Sequence, residues 1–195
     1  MIGIIDYGNG NLYNLQKCIS KLTLKKVKIV KSIKDVSKCE KLFLPGVGNY
    51  QHSLKILRQN KLDKVILKLY KQKFPIFAIC IGLHILGKSS QESIGSQGLN
   101  IYNFEVKKFP INKLIKIPNI NYLNVSINNQ KNKFYYSHSY YIEKFHLNDA
   151  ILKYSKYHSI EILSYIKDGN LIATQFHPEL SGYNGYKLIE TFINE

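Results

Sequence analysis

Cys80 follows the apolar run 75–79, which reads as a strand, and precedes Ile81-Gly82-Leu83, which reads as a helix start. A tight strand-to-helix turn lifts its central side chain above the sheet, and small neighbours such as Ala78 and Gly82 are what the crowded backbone tolerates. The helix end behind it supplies free N–H groups and partial positive charge, which favour a thiolate and then an oxyanion. A cysteine there is either a nucleophile or a buried packing residue, and local context leaves both open. A nucleophilic thiol needs a base, and the base needs a carboxylate to orient it. His177-Pro178-Glu179, just past the apolar run 171–176, carries both, with proline fixing the backbone between them. Alone, that tripeptide is also an ordinary surface turn. Pro45-Gly46-Val47-Gly48 closes a third strand-like run, and its glycines let a peptide N–H swing toward developing negative charge. Open α/β sheets bind ligands beyond the carboxyl ends of their strands, where all three segments fall.

Three strand ends must be brought together, and the first half of the chain has the pattern for it. Residues 2–5, 27–30, 41–44 and 75–79 are short apolar runs. Between them, Leu12, Leu15, Ile19 and Leu22 recur at helical spacing, as do Leu54 with Leu57 and then Leu62, Val65, Ile66 and Leu69; Leu83 and Leu86 open a further helix. Repeated units of this kind imply a parallel sheet covered on both faces. The second half is β-rich. Strands are predicted over 99–104, 122–127, 134–136, 160–166 and 171–176, with Asp168-Gly169 as a hairpin turn between the last two. A terminal helix presents Tyr186, Ile189 and Ile193 on one face. Nothing resembling a linker or repeat divides the chain, so residues 1–195 are expected to form one α/β domain with a mixed, largely parallel central sheet.

Composition narrows the function classes. With 45% hydrophobic and 21% charged residues the chain is globular rather than disordered. Cys18, Cys39 and Cys80 form no CxxC pair, which argues against a disulfide scaffold or a zinc knuckle and fits a reducing cytoplasm. No apolar stretch approaches the roughly 18 residues of a spanning helix, and no basic segment precedes a long apolar run at the start. A membrane partner is therefore not expected, and with the cysteine pattern a cytoplasmic location is expected. The net charge of +15 invites a nucleic-acid reading, yet Arg58 is the only arginine among 28 basic residues. The bidentate guanidinium fork of base and phosphate readout is almost absent, and the lysines are scattered. Lys, Ile, Asn and Tyr share A/T-rich codons, so base composition explains the charge and no nucleic-acid partner is expected. Gly8-Asn9-Gly10 has half of a dinucleotide fingerprint, but Tyr13 stands where the third glycine would be.

Taken together, the blocks resemble the class I, triad-type glutamine amidotransferases. Asp6-Tyr7-Gly8-Asn9-Gly10-Asn11-Leu12, Leu44-Pro45-Gly46-Val47-Gly48, Ile79-Cys80-Ile81-Gly82, Tyr136-Ser137-His138-Ser139-Tyr140 and Gln175-Phe176-His177-Pro178-Glu179-Leu180-Ser181-Gly182 occur in the family's order over essentially the whole chain. Within the family they are most similar to the glutaminase subunits of imidazole glycerol phosphate synthase. The resemblance implies the family's single-domain three-layer fold. It implies a nucleophile Cys80, a base His177 and a carboxylate Glu179; oxyanion donors at Ile81 and at Val47 or Gly48, the latter after a loop flip; and glutamine contacts at Glu92, Ser139 and Tyr140. No metal or organic cofactor is implied. Ammonia would pass to a separate (β/α)8-barrel synthase subunit in a heterodimer. Two departures stand out: His84 occupies the place of a glutamine that touches substrate in the family, and Pro118-Asn119-Ile120-Asn121-Tyr122-Leu123 has drifted from a block near the partner interface. Drift of that kind leaves open a paralogue serving another acceptor, such as amidino-sugar synthesis for a surface polysaccharide.

Overall fold

A computed structural model of the chain describes residues 1–8, 12–111 and 115–195. Asn9, Gly10 and Asn11 of the N-terminal block lie outside the described residues. β1 (Ile2–Ile5) leads through α1 (Leu12–Leu22) to β2 (Val27–Val30), and the one-turn α2 (Ile33–Val36) precedes β3 (Lys41–Leu44). α3 (Tyr50–Gln59) and α4 (Leu62–Lys71) return the chain to β4 (Ile76–Ile79), which runs into α5 (Ile81–His84) and the short β5 (Ser89–Ser90). There follow β6 (Glu105–Lys108), the long pair β7 (Asn119–Ile127) and β8 (Gln130–His138), and β9 (Tyr140–Ile142). The chain ends with β10 (Ile151–Tyr157), β11 (Ile160–Asp168), β12 (Leu171–Thr174), a 3-10 turn at Pro178–Leu180 and α6 (Gly182–Asn194).

Seven strands form the central sheet in the order β10-β11-β12-β4-β3-β1-β2. The pairs from β12 to β2 are parallel, and β11 pairs antiparallel with both β10 and β12, so the sheet is mixed and largely parallel. Alternate side chains point to opposite faces. Leu42, Leu44, Ile76 and Ala78 pack with Leu54 and Leu57 of α3 and Ile66 of α4. Phe43, Phe77 and Ile79 pack on the other side with Leu15 and Ile19 of α1 and Ile189 and Phe192 of α6. Phe43 and Phe77 stack at 5.4 Å, with Phe192 edge-on to them at 5.2 and 5.3 Å. Each such buried ring contributes about 1.5–3 kcal/mol of hydrophobic stabilisation. Helices on both faces of one sheet make the three layers.

The hairpin forms where Asp168-Gly169 requires it, with Asp168 opposite Leu171 and Gly169 at φ +53. Elsewhere the structure corrects the sequence. The segment 99–104 is not a strand: Leu99, Tyr102 and Phe104 are buried, but their backbone bonds back to the turn after α5, and the strand begins at Glu105. α5 itself stops at His84 because the Ile85, Leu86 and Gly87 carbonyls accept from Leu99, Ile101, Tyr102 and Asn100 instead of from a next helical turn. On α6, Ile189 and Ile193 are buried as expected, while Tyr186 is exposed and Phe192 takes the inward position.

Candidate active site

β3, β4 and β12 are neighbours in the sheet, all parallel, and their carboxyl ends finish level: Leu44 lies opposite Ala78, and Ile79 opposite Thr174. The segments that leave those three ends carry Pro45 to Gly48, Cys80 and His177. Sheet order thus gathers residues far apart in sequence over one short edge.

Cys80 sits at φ +45, ψ −100, a conformation that costs a non-glycine residue of order 1–3 kcal/mol and persists where its surroundings enforce it. Here they do. Its N–H donates to the Thr174 carbonyl at 2.7 Å, and its carbonyl accepts from His84 at 3.0 Å. Gly82 lets α5 close against β3, since a β-carbon there would lie 2.4 Å from the Leu44 carbonyl oxygen. The thiol is almost buried and lines a cleft of about 380 Å³.

His177 is held from both sides of its backbone. Its N–H donates to the Tyr135 carbonyl at 2.8 Å, and its own carbonyl accepts from the Ser181 hydroxyl at 2.6 Å, which in turn accepts from the Tyr135 N–H. Its Nδ1 bonds Glu179 Oε1 at 2.9 Å. Burial alone would lower the His177 pKa, but the Cys80 sulfur and the Glu179 carboxylate raise it to about 10, so the ring carries a proton at neutral pH. Cysteine and imidazole thus face the cleft with the carboxylate behind the ring, an arrangement suited to acyl transfer.

The glycine loop faces the same cleft, with Gly46, Val47, Gly48 and Ile81 on its wall. The Gly46 carbonyl accepts from the Ile81 N–H at 3.4 Å, so this donor is occupied and the loop peptide points its oxygen, not its N–H, at the site. Tyr7, fully buried, donates its hydroxyl to the Pro45 carbonyl and ties the loop to the end of β1. Burial, with the Cys80 charge adding, pushes the Tyr7 pKa well up, so it remains a donor.

Glu92, Ser139 and Tyr140 also line the cleft. Glu92 Oε1 accepts from Asn49 Nδ2 at 2.8 Å and the Tyr50 N–H at 3.2 Å, which anchors it to the start of α3; burial raises its pKa. His138 Nδ1 donates to the Tyr140 carbonyl at 2.7 Å, and its Nε2 accepts from Asn119 at 2.9 Å. Burial pushes His138 down to about 3, so it is a neutral strut beneath the Ser139–Tyr140 turn. Asn119, in the drifted segment, therefore points inward, whereas Ile120 and Tyr122 are exposed near the cleft, the Tyr122 hydroxyl reaching the Leu180 carbonyl at 3.4 Å. The predicted nucleophile, base, oxyanion donors and glutamine contacts all line this cleft, and the predicted carboxylate Glu179 lies behind His177. Tyr7 and Ser181 fall within two of the sequence blocks, but nothing in their local sequence marks them as anchors of the loop and of the base. Among the described residues, no group of three or more His, Cys, Asp or Glu side chains is placed to hold a metal ion, and no helix is long and apolar enough to cross a membrane.

The family model for class I glutamine amidotransferases matches residues 3–195. The imidazole glycerol phosphate synthase subunit HisH of Methanocaldococcus jannaschii is 36% identical, covering 99% of this chain and 98% of its own. The protein of the same name from Leptospira interrogans is 34% identical, with each chain covered in full. Among solved structures, a glutamine amidotransferase superposes with a TM-score of 0.79 over 99% of this chain and 97% of its own, at 14% identity. PurLQS from Thermotoga maritima gives 0.74 over 99% and 97%, at 15% identity. Both likenesses concern the fold.

Proposed function

The chain belongs to the class I glutamine amidotransferase family, and from that membership we propose that residues 1–195 form the glutaminase subunit of an imidazole glycerol phosphate synthase. The observation that carries the reading is the Cys80–His177–Glu179 line at two level, neighbouring strand ends, in a chain that matches its curated relatives from end to end.

In this reading Cys80 Sγ attacks the side-chain amide carbon of glutamine, and its proton passes through His177 to the departing nitrogen, which leaves as ammonia. Glu179 holds the imidazole in the orientation that makes Nε2 the transferring atom. Water, deprotonated by His177, then attacks the thioester; glutamate leaves and the thiol regains a proton. The oxyanion is met by the Ile81 N–H and by Val47 or Gly48. Before that, the Gly46–Val47 peptide must turn, because the Gly46 carbonyl occupies the Ile81 N–H at rest. One oxyanion donor is typically worth about 100- to 1000-fold in rate, so the peptide orientation acts as an on/off control. Glu92, Ser139 and Tyr140 hold the amino-acid end of the substrate.

Ammonia is delivered to a (β/α)8-barrel synthase subunit in a cytoplasmic heterodimer of histidine biosynthesis. The exposed Ile120, Tyr122 and Leu180 beside the cleft support a docking face at its mouth. The test is glutamate release by the purified chain mixed with an authentic synthase barrel and its nucleotide substrate, with Cys80→Ala as blank. Strong stimulation lost in the blank is expected. Glutaminase activity that the barrel and nucleotide leave unchanged would refute the histidine-pathway assignment and redirect the ammonia to another acceptor.

A further inference from the structure

Gln175 leaves the end of β12 as a wholly buried polar side chain between Thr174 and Phe176. Its amide bridges two groups: Oε1 lies 2.8 Å from His84 Nε2, and Nε2 lies 3.5 Å from Cys80 Sγ. The two ends of an amide have nearly the same shape and opposite chemistry. Turned with its NH2 group to the sulfur it stabilises a thiolate; turned the other way, its carbonyl opposes one.

The group at the far end decides between them. His84 is 3% exposed, and its Nδ1 has no hydrogen-bond partner. Burial pushes its pKa down to about 4, against the hydrogen bond to Gln175, so the ring is neutral and carries a single proton. With that proton on Nε2, the ring donates to Gln175 Oε1 and leaves a bare acceptor at Nδ1. With it on Nδ1, an N–H would be buried without an acceptor, the rarer and costlier arrangement, and the amide would have to turn over. The first state is favoured, and it aims the Gln175 NH2 group at the nucleophile.

We propose that His84 is a positioning residue that locks the Gln175 amide with its NH2 group toward Cys80, so that Gln175 donates a hydrogen bond to the attacking thiolate. The proposal rests on the glutaminase reading of Cys80 and adds a second support for the thiolate beside His177. It also gives His84 a role toward the nucleophile rather than toward the substrate, since its Nε2 is already engaged.

The experiment follows alkylation of Cys80 by iodoacetamide across a pH series in the intact chain, with the Cys80 peptide quantified by mass spectrometry apart from those of Cys18 and Cys39. Gln175→Met keeps the shape of the side chain and removes the donor. It is expected to move the pH midpoint of alkylation upward by about one unit or more, a 10-fold change in the thiol–thiolate equilibrium and the size of one hydrogen bond to a charged group. His84→Leu should do the same, and the double variant no more than either single, because the two residues act as one unit. His84→Gln, which can still donate to Gln175 Oε1, should keep the wild-type profile. A purely structural role would lower stability without moving the midpoint. An unmoved midpoint in Gln175→Met, or effects that multiply in the double variant, overturns the proposal. Gln175→Met decides the matter even if His84→Leu does not fold. Wild-type Cys80 that is alkylated no faster than Cys18 would instead overturn the glutaminase reading itself.

Discussion

Lowering the pH from 7.5 to 5 should weaken the fold through two buried side chains that no substrate is needed to probe, His84 and His138. Both are nearly inaccessible, at 3% and 6% exposure, and burial is the main reason that their values fall from 6.5 to about 4 and about 3. A base whose folded value lies below its unfolded one binds its proton later in the folded state. Stability is therefore lost as the pH falls below about 6.5, and the loss continues until the folded values are reached. At pH 5 each histidine lies 1.5 units below the unfolded value, which at about 1.36 kcal/mol per unit makes roughly 2 kcal/mol each and roughly 4 together. That is a large part of the 5–15 kcal/mol typical of a domain. His177 offsets only part of it. Its folded value is raised, so the stability it contributes grows by roughly 1 kcal/mol as the pH falls from 7.5 to about 6.5 and is nearly complete below that, which leaves a net loss of roughly 3 kcal/mol between pH 7.5 and 5. Urea unfolding followed by circular dichroism at pH 7.5, 6 and 5 measures the loss. Near pH 5 the slope should approach two protons, about 2.7 kcal/mol per pH unit, and His84→Gln should reduce it to about one proton. A wild-type loss below about 1 kcal/mol, or a slope unchanged in His84→Gln, would refute the claim that these rings are held neutral.

Three further outcomes follow from the same contacts. Gly82→Ala drives a β-carbon into the Leu44 carbonyl at 2.4 Å; overpacking of that kind costs about 1–3 kcal/mol, so the melting temperature should drop by about 3–10 °C. An unchanged melting curve would mean that α5 does not need its close seat on β3. Glu179→Gln keeps the shape of the side chain but removes the charge that helps hold His177 protonated. Glutamine turnover should fall about 100- to 10,000-fold with little change in KM, and the alkaline limb of the pH profile, near pH 10 in the wild type, should move down. A loss below 10-fold would remove Glu179 from the triad. Tyr7→Phe deletes the hydroxyl that anchors the Pro45 carbonyl, a bond worth about 0.5–1.5 kcal/mol. Freed of it, the glycine loop should turn more readily and partner-independent glutamine hydrolysis should rise a few-fold, while Cys80 alkylation stays constant; a fall in both would show that the tyrosine supports the nucleophile instead.

How much of this could be read from the sequence depends on how far each determinant reaches along the chain. The first four strands were legible because each is a short, mainly apolar run; β1, β3 and β4 are buried throughout, while the edge strand β2 buries only Val30. Ile151–Tyr157 was not, because an edge strand half-open to solvent, with Lys153 and Lys156 among its apolar residues, lacks a clean pattern. At 99–104 the spacing reported burial correctly and strand wrongly. Leu99, Tyr102 and Phe104 do pack inward, yet their backbone groups are satisfied by the carbonyls of the turn after α5, a partner no local pattern names. The same exchange shortened α5 to one turn, so Cys80 draws less on a helix dipole than its setting suggested and more on individual groups around it.

The site divides along the same line. Cys80, His177 and the glycine loop carry their chemistry in their own residue types, and strand ends are where the sequence already puts them. What it could not supply is that β12, laid down antiparallel to β11, inserts next to β4 rather than at an edge, which brings residues 80 and 177 to the same height. That one pairing also sets Gln175 between Cys80 and His84, 91 residues from the latter. In the sequence, Gln175 is a polar residue at the end of an apolar run, and His84 a substitution at a position expected to face the substrate. Only their contact gives either a reason to be buried: each satisfies the other, and the amide end left over is the one that meets the sulfur. The departure from the family pattern and the support of the nucleophile are therefore one feature, and they should stand or fall together when the pH dependence of Cys80 is measured.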